Sequence, residues 1–431
     1  MAAKALVLQE PRRLILEEFP IPQIGENDAL LRVEACGLCG TDHEQYSGML
    51  HPGYPFIPGH ESVGVIEEIG SEAADRWGVS AGERVAVEVF QSCGKCDMCM
   101  AGIYRRCTQH GVKDMYGFIP VSKEPALWGG YSQYQYLAPD SIVHRVPSNL
   151  DPVVATIFNP LGAGIRWGVT VPDVHQGAVV AVLGPGIRGL SACAALKEAG
   201  AAFVMITGKG ARDRERLELS TRFGADLYVD VDHDDPAKEL FRHTGRQADV
   251  VVDVTAKAPA ALAQAISAVK EGGTIVMAGT RGSADTPGFW PDMIVYKEIH
   301  IIGALGVDSA AYRSALDLLA SGKYPFAELP RRTASLEGAA ALIETMGGLS
   351  KSGHLKSDDA IGGGGALAGD GTVGDGDAGD GDAGDGTVGD GNARDGTVGG
   401  GTVNDGIFGD GSITGANGDV VPVHGVILPW A

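Results

Sequence analysis

Residues Ala178–Leu190 read AVVAVLGPGIRGL: an unbroken apolar run, then Gly184-Pro185-Gly186-Ile187-Arg188-Gly189, then the opening of a helix-like stretch. An apolar strand that runs straight into G-x-G-x-x-G and a helix is the unit that binds a dinucleotide. The glycines permit a tight turn and let the backbone approach a pyrophosphate, which the helix N-terminus then faces. Outward from this unit, strand-like runs at Phe203–Ile206, Asp249–Val254 and Thr274–Ala278 alternate with helix-like stretches at Leu190–Ala199, Arg214–Phe223, Ala237–His243 and Ala260–Val269, closing near Ile299–Gly303. Strands that are apolar throughout, separated by helices, predict an α/β domain with a doubly wound parallel sheet covered on both faces.

The acid expected about 20 residues further on, at the end of the second strand, is missing. The segment reads MITGKGARDRER, with Gly208 at the ribose-binding position and Lys209, Arg212 and Arg214 nearby. Loss of the acid beside cations favours a 2′-phosphate, hence NADP over NAD, with Asp213 as the acid that could still serve from a longer loop.

The first 155 or so residues have another texture. Short runs (KALVL, ALLRVEA, SVGVIEEIG, ERVAVEVF, YSQYQYLA) are broken by Gly and Pro, which predicts a compact β-rich domain. Two clusters of metal-ligand type sit within it. Cys93, Cys96, Cys99 and Cys107, spaced C-x2-C-x2-C-x7-C, can close a tetrahedral sulfur shell around a structural Zn²⁺ with no open position. Cys39-Gly40-Thr41-Asp42 and Gly59-His60-Glu61 offer a thiolate, an imidazole and a carboxylate, a set that leaves a coordination position for a substrate oxygen.

In this order, CGLCGTD (Cys36–Asp42), GHESVGVIEEIG (Gly59–Gly70), the four-Cys lobe and GPGIRG (Gly184–Gly189) resemble the zinc-containing medium-chain dehydrogenase/reductase family, which includes alcohol, sorbitol and threonine dehydrogenases. The likeness runs from Met1 to about Gly348. It implies a GroES-like β-rich catalytic domain (1–160, with the zinc lobe at 93–107), a Rossmann domain (161–304), and a return to the catalytic domain at 305–349 and 420–431. It also implies two zinc ions per chain, an NAD(P) cofactor, a small alcohol or carbonyl substrate, and a homodimer or homotetramer. Carried over by position, Cys39, His60 and Glu61 are the catalytic-zinc ligands, with Glu61 able to exchange on and off the metal. Asp42 fixes the His60 tautomer, and Thr41 takes the alcohol proton as hydride passes to the nicotinamide.

Two departures from the family pattern stand out. Asn159 occupies the place where a Cys, Glu or Asp usually supplies a further zinc ligand, and an amide oxygen is a poor ligand beside a carboxylate. Zinc would then still be held by Cys39, His60 and Glu61 or water, with weaker affinity and a more electrophilic metal. Where the proton relay often has a His, this chain has Glu44, with His43 one residue early. Pocket walls are expected around Thr41, Tyr54, Phe56, Trp128 and Leu305, where Phe56 and Trp128 suggest an apolar or ring-bearing alcohol.

The 431 residues carry a net charge of −21, which argues against a phosphate-backbone binder. From Ser357 onward there are 13 Asp, no Glu and only Arg394, so the last 75 residues carry −12 and the rest −9. There a five-residue repeat (GDGTV, GDGDA and variants) runs from Gly369 to Ile413. Calcium-binding β-rolls have a nine-residue period with an apolar core position, so 350–419 reads as a flexible, self-repelling insertion, and Pro422–Pro429 as a returning strand. No apolar run suits a membrane span and no secretory signal opens the chain, so a cytoplasmic enzyme without membrane contacts is expected. Two other readings compete: a zinc-independent NADPH-dependent reductase of activated double bonds or quinones, and a calcium-responsive binding protein acting through the tail.

Overall fold

The N-terminal strands, expected to be short, include four of eight to ten residues, and they build a two-stranded hairpin and a larger sheet. In the computed structural model, which describes residues 2–281, 285–347 and 422–431, the pentad array and the 350–419 segment lie outside the described residues. β1 (Ala2–Glu10) and β2 (Arg13–Pro20) form a hairpin closed by Pro11-Arg12, with Arg12 at φ 62°. β2 escapes the sequence reading because RLILEEFP is half exposed and lacks strict alternation. β3 (Ala29–Leu38) is the central strand: β4 (Ser62–Ile69) lies antiparallel along one edge, and β5 (Arg84–Val87) follows on β4. β6 (Tyr134–Leu137) takes the first half of the other edge of β3, and β7 (Val143–Arg145) extends the sheet beyond β5. Helix α1 (Gly40–Ser47) follows β3 directly, and α2 (Phe158–Ile165), buried almost throughout, leads into the second layer system.

There β8 (Val179–Leu183), β9 (Phe203–Gly208), β10 (Leu227–Asp230), β11 (Ala248–Asp253), β12 (Val269–Met277) and β13 (His300–Gly303) form a six-stranded parallel sheet in the order β10-β9-β8-β11-β12-β13. The order reverses between β8 and β11, so the crevice of this doubly wound sheet opens at their carboxyl ends. Every residue of β8 is buried, as its unbroken apolar run requires. α3 (Ile187–Glu198) starts three residues before the stretch read from sequence, and α4 (Gly210–Ser220) four residues before it, because both begin at the glycine turns that end β8 and β9. Edge strand β10 is four residues long with Tyr228 exposed, too short to stand out as a pattern.

α5 (Ser309–Ser321) packs on α2, and Asp308 caps it by accepting the Ala311 N–H at 3.0 Å. β14 (Arg331–Ala334) then pairs in parallel with β15 (His424–Ile427), which is antiparallel to Cys36–Leu38 on the second half of β3's free edge. The C-terminal segment thus completes the sheet built on β3. Among the described residues no helix is long and apolar enough to cross a membrane.

Candidate active site

β3 delivers Cys39 to the first turn of α1. Asp42, three residues on, accepts the Cys39 N–H through Oδ2 at 2.8 Å, which locks the turn that presents the thiol. The β3–β4 register sets Cys36 opposite Ser62, so the residues just before β4 arrive beside Cys39. Gly59 makes that approach possible: it has φ 93°, and a Cβ there would meet the Tyr131 backbone nitrogen at 2.8 Å. His60 Nε2 then lies 3.3 Å from Cys39 Sγ, while its Nδ1 edge faces Asp42 Oδ1 at 3.8 Å. The donor atoms of Cys39, Asp42 and His60 fall within 4.8 Å of one another. Because Asp42 stands on the ring edge turned away from Cys39, it is placed to orient the imidazole.

Glu61 is buried in the same place but stands outside that tight group. Its Oε1 accepts from Asn159 Nδ2 at 3.0 Å; its Oε2 has no hydrogen-bond partner and lies over Gly37, whose missing Cβ makes the room. Asn159 Oδ1 accepts from Tyr312 Oη–H at 3.1 Å. The Thr41 side chain stands near the Cys39 thiol and acts to lower its pKa. From the other layer system Arg188, within the glycine fingerprint, stacks its guanidinium 5.3 Å from the Trp167 ring and points Nη2 at Cys39 Sγ, 3.8 Å away.

Burial pushes the Cys39 thiol up, with Glu61 and Asp42 adding to it. It also raises the Glu61 carboxyl to about 8, with Asp42 contributing, and lowers His60. A buried thiol and two buried carboxyls faced by a single guanidinium form a cluster short of positive charge, and this donor set fits a Zn²⁺ ion.

The second cysteine cluster has a different geometry. Cys93 and Cys99 Sγ lie 3.8 Å apart, Cys96 and Cys107 Sγ 4.0 Å apart, and all four fall within 4.8 Å. Tetrahedral Zn–S bonds of about 2.3 Å give sulfur–sulfur edges of about 3.8 Å, so this shell fits a closed structural zinc. Backbone N–H groups of Thr108 and Cys99 hold Cys96 down to about 5, a thiolate ready for metal. Tyr104 inside the lobe donates to Glu88 Oε2 at 2.6 Å, tying the lobe to the end of β5.

At the carboxyl end of β8, Gly184 has φ 102°, and a Cβ on Gly189 would press into the Gly184 carbonyl oxygen. Gly186 precedes α3 and Ile187 begins it. At the end of β9, a Cβ on Gly208 would meet Pro185 Cγ at 2.9 Å and Leu217 Cδ2 at 3.0 Å, so no acidic side chain fits there without a shift. Asp213 does not replace it: it is buried, accepts the Lys209 N–H at 2.9 Å and faces Arg216. Lys209, Arg212 and Arg214 are exposed around that turn.

Phe56 and Trp128, expected as pocket walls, are instead core residues: Phe56 is fully buried, and Trp128 packs edge-on against Tyr136 with its indole N–H donated to Lys123 O. Tyr54 stacks on His51 and Phe56, Leu305 is exposed, and half-buried His43 faces Gly347. Tyr312 and Phe118, whose ring lies 6.0 Å from that of His60, are site neighbours that no motif announces.

Two family descriptions match the chain, "Alcohol dehydrogenase GroES-like domain" over residues 25–148 and "Zinc-binding dehydrogenase" over residues 189–321. The "Probable alcohol dehydrogenase adh" of Mycobacterium tuberculosis is 65% identical over 346 residues, covering 80% of this chain and 94% of that protein. The sorbitol dehydrogenase of Bacillus subtilis is 31% identical over 325 residues, covering 74% and 86%. Among solved structures, a zinc-binding dehydrogenase from Sinorhizobium meliloti 1021 bound to NADP superposes with a TM-score of 0.69 at 28% identity, covering 80% of this chain and 95% of that one.

Proposed function

The chain belongs to the zinc-containing medium-chain dehydrogenase/reductase family, and from that premise we propose how its residues divide the transfer of hydride between an alcohol and NAD(P). The observation that carries the reading is the meeting at one point of Cys39 Sγ, His60 Nε2 and Arg188 Nη2, two buried metal donors and a residue of the dinucleotide fingerprint.

Cys39 and His60 hold the catalytic zinc, with Glu61 or water completing the set, and Cys93, Cys96, Cys99 and Cys107 hold a second, structural zinc. Bound zinc supplies Lewis acidity that lowers the pKa of an alcohol oxygen. Asp42 keeps the His60 ring turned toward Cys39. Thr41, two residues after Cys39, accepts the alcohol proton and starts its path to solvent. The turns at Gly184–Gly189 and Gly208–Arg212 would hold the dinucleotide, which would supply the hydride acceptor.

Exposed Lys209 and Arg212, with no acid able to stand at Gly208, favour NADP. The domains run 1–160, 161–304, and 305–349 with 420–431 returning to the first. β13 ends the six-stranded sheet, and Trp290, Val295, Tyr296, Ile302 and Leu305 are exposed on or near it, a surface suited to a second copy in a homodimer. Thiolate metal sites suit a reducing, cytoplasmic compartment.

A panel of alcohols assayed with NAD and NADP, beside zinc analysis of the wild type and Cys39→Ser, tests this reading. The expected outcome is two zinc ions falling to one, with alcohol-dependent cofactor reduction lost. Activity that survives Cys39→Ser would instead assign the fold to zinc-independent reduction.

A further inference from the structure

Asn159 stands between two buried partners with opposite needs. The amide turns its NH₂ toward Glu61 and donates to Oε1 at 3.0 Å. Its oxygen then faces Tyr312, whose hydroxyl donates at 3.1 Å. Glu61 and Tyr312 are 1% exposed and Asn159 is 7% exposed, so no solvent competes for these bonds. The amide oxygen is therefore spoken for and is not offered to a metal.

The two ends of this series differ in rigidity. Tyr312 projects from α5 against the Phe158 ring, 5.1 Å away, and a Cβ on Gly162 would already meet its Cδ1 at 3.1 Å. Its ring cannot swing. Glu61 has a hydrogen bond at Oε1 but none at Oε2; its carboxyl is near enough to the Cys39 thiol to act on it, yet it falls outside the tight group of Cys39, Asp42 and His60 donor atoms.

We propose that Asn159, fixed by Tyr312, is a positioning residue that clasps Glu61 away from the metal position, so that Glu61 reaches the metal only when this clasp opens. The inference rests on the zinc-site reading above. The clasp keeps a coordination position open for the substrate oxygen, and it adds a step to any exchange of Glu61 onto the metal.

The test is the rate at which a chelator strips zinc from the full-length protein, compared for wild type, Asn159→Leu and Tyr312→Phe, each also in a Glu61→Gln background. Tyr312→Phe keeps the packed ring and removes only the hydroxyl. With the clasp gone, Glu61 is free to ligate, and removal of the Cys39-site zinc slows by about tenfold in both variants. The slowing disappears with Glu61→Gln, and the cobalt-substituted site shows an altered visible spectrum in the clasp variants only. Zinc lost at the wild-type rate or faster overturns the clasp. If Cys39→Ser leaves the zinc content of the wild type unchanged, the zinc-site reading fails, and the clasp falls with it.

Discussion

His424, which begins β15, gives the sheet that closes the molecule a pH-dependent strength. The ring is 1% exposed, and its Nε2 lies 3.3 Å from Thr156 Oγ1, whose hydroxyl donates to Val153 O at 2.8 Å. Nε2–H is therefore the donor, and Nδ1 has no partner. A charged ring would bury an unpaired N–H near the Arg331 guanidinium; burial first, and Arg331 second, push the pKa from 6.5 down to about 3. The folded state thus refuses a proton that the unfolded chain takes up near 6.5. Stability from this group is complete above that pH and is lost as the pH falls toward 3. The slope is about 1.4 kcal/mol per pH unit, so about 2 kcal/mol disappears between pH 7.5 and 5. Urea unfolding of wild type and His424→Gln at both pH values measures it, because the variant lacks the titrating ring and the protein's other titrations cancel in the difference. The stability of wild type relative to the variant should fall by about 2 kcal/mol on acidification. Parallel pH profiles would refute the burial argument.

Three further outcomes are expected. Cys96→Ser opens the four-sulfur shell, so elemental analysis should find one zinc fewer per chain and a lower thermal midpoint; unchanged metal content would mean that the shell holds none. Gly189→Ala drives a Cβ into the Gly184 carbonyl oxygen, so the β8–α3 turn must open and NAD(P) affinity, followed by fluorescence titration, should fall ~10–100-fold, with the zinc content intact as the control. Tyr104→Phe leaves Glu88 Oε2 without its lobe donor in a buried site and should cost about 1.5–3 kcal/mol in urea unfolding; a loss under 0.5 kcal/mol would show that the lobe is held by other contacts.

Much of the architecture is legible in the chain because its signals are local. β8 and the glycines after it form one uninterrupted pattern, and the four lobe cysteines fall within 15 residues, so backbone geometry alone brings them close. β2, β10 and β14 are less legible: β2 is half exposed and lacks alternation, while β10 and β14 are only four residues long, and β14 pairs with β15 far along the chain. Phe56 and Trp128 show the same limit from the other side. An aromatic side chain reads alike whether it lines a pocket or fills a core, and here the packing around it chose the core.

The sequence by itself determined which donors and turns exist: Cys39, His60, Glu61, the four-Cys spacing, the glycine fingerprint and the missing acid at Gly208. Each is a matter of residue type and short spacing. Only the tertiary structure decided how they meet. The β3–β4 register set Cys39 against His60, and Arg188 came to the same thiol from the first turn of α3, 149 positions away. Tyr312 reached Asn159 across 153 positions, and through it Glu61, which turned an apparent ligand vacancy into a hydrogen-bonded series. Contacts of that range leave no periodic trace, because they are fixed by the packing of α5 on α2, which depends on the shape of whole helices rather than on any motif.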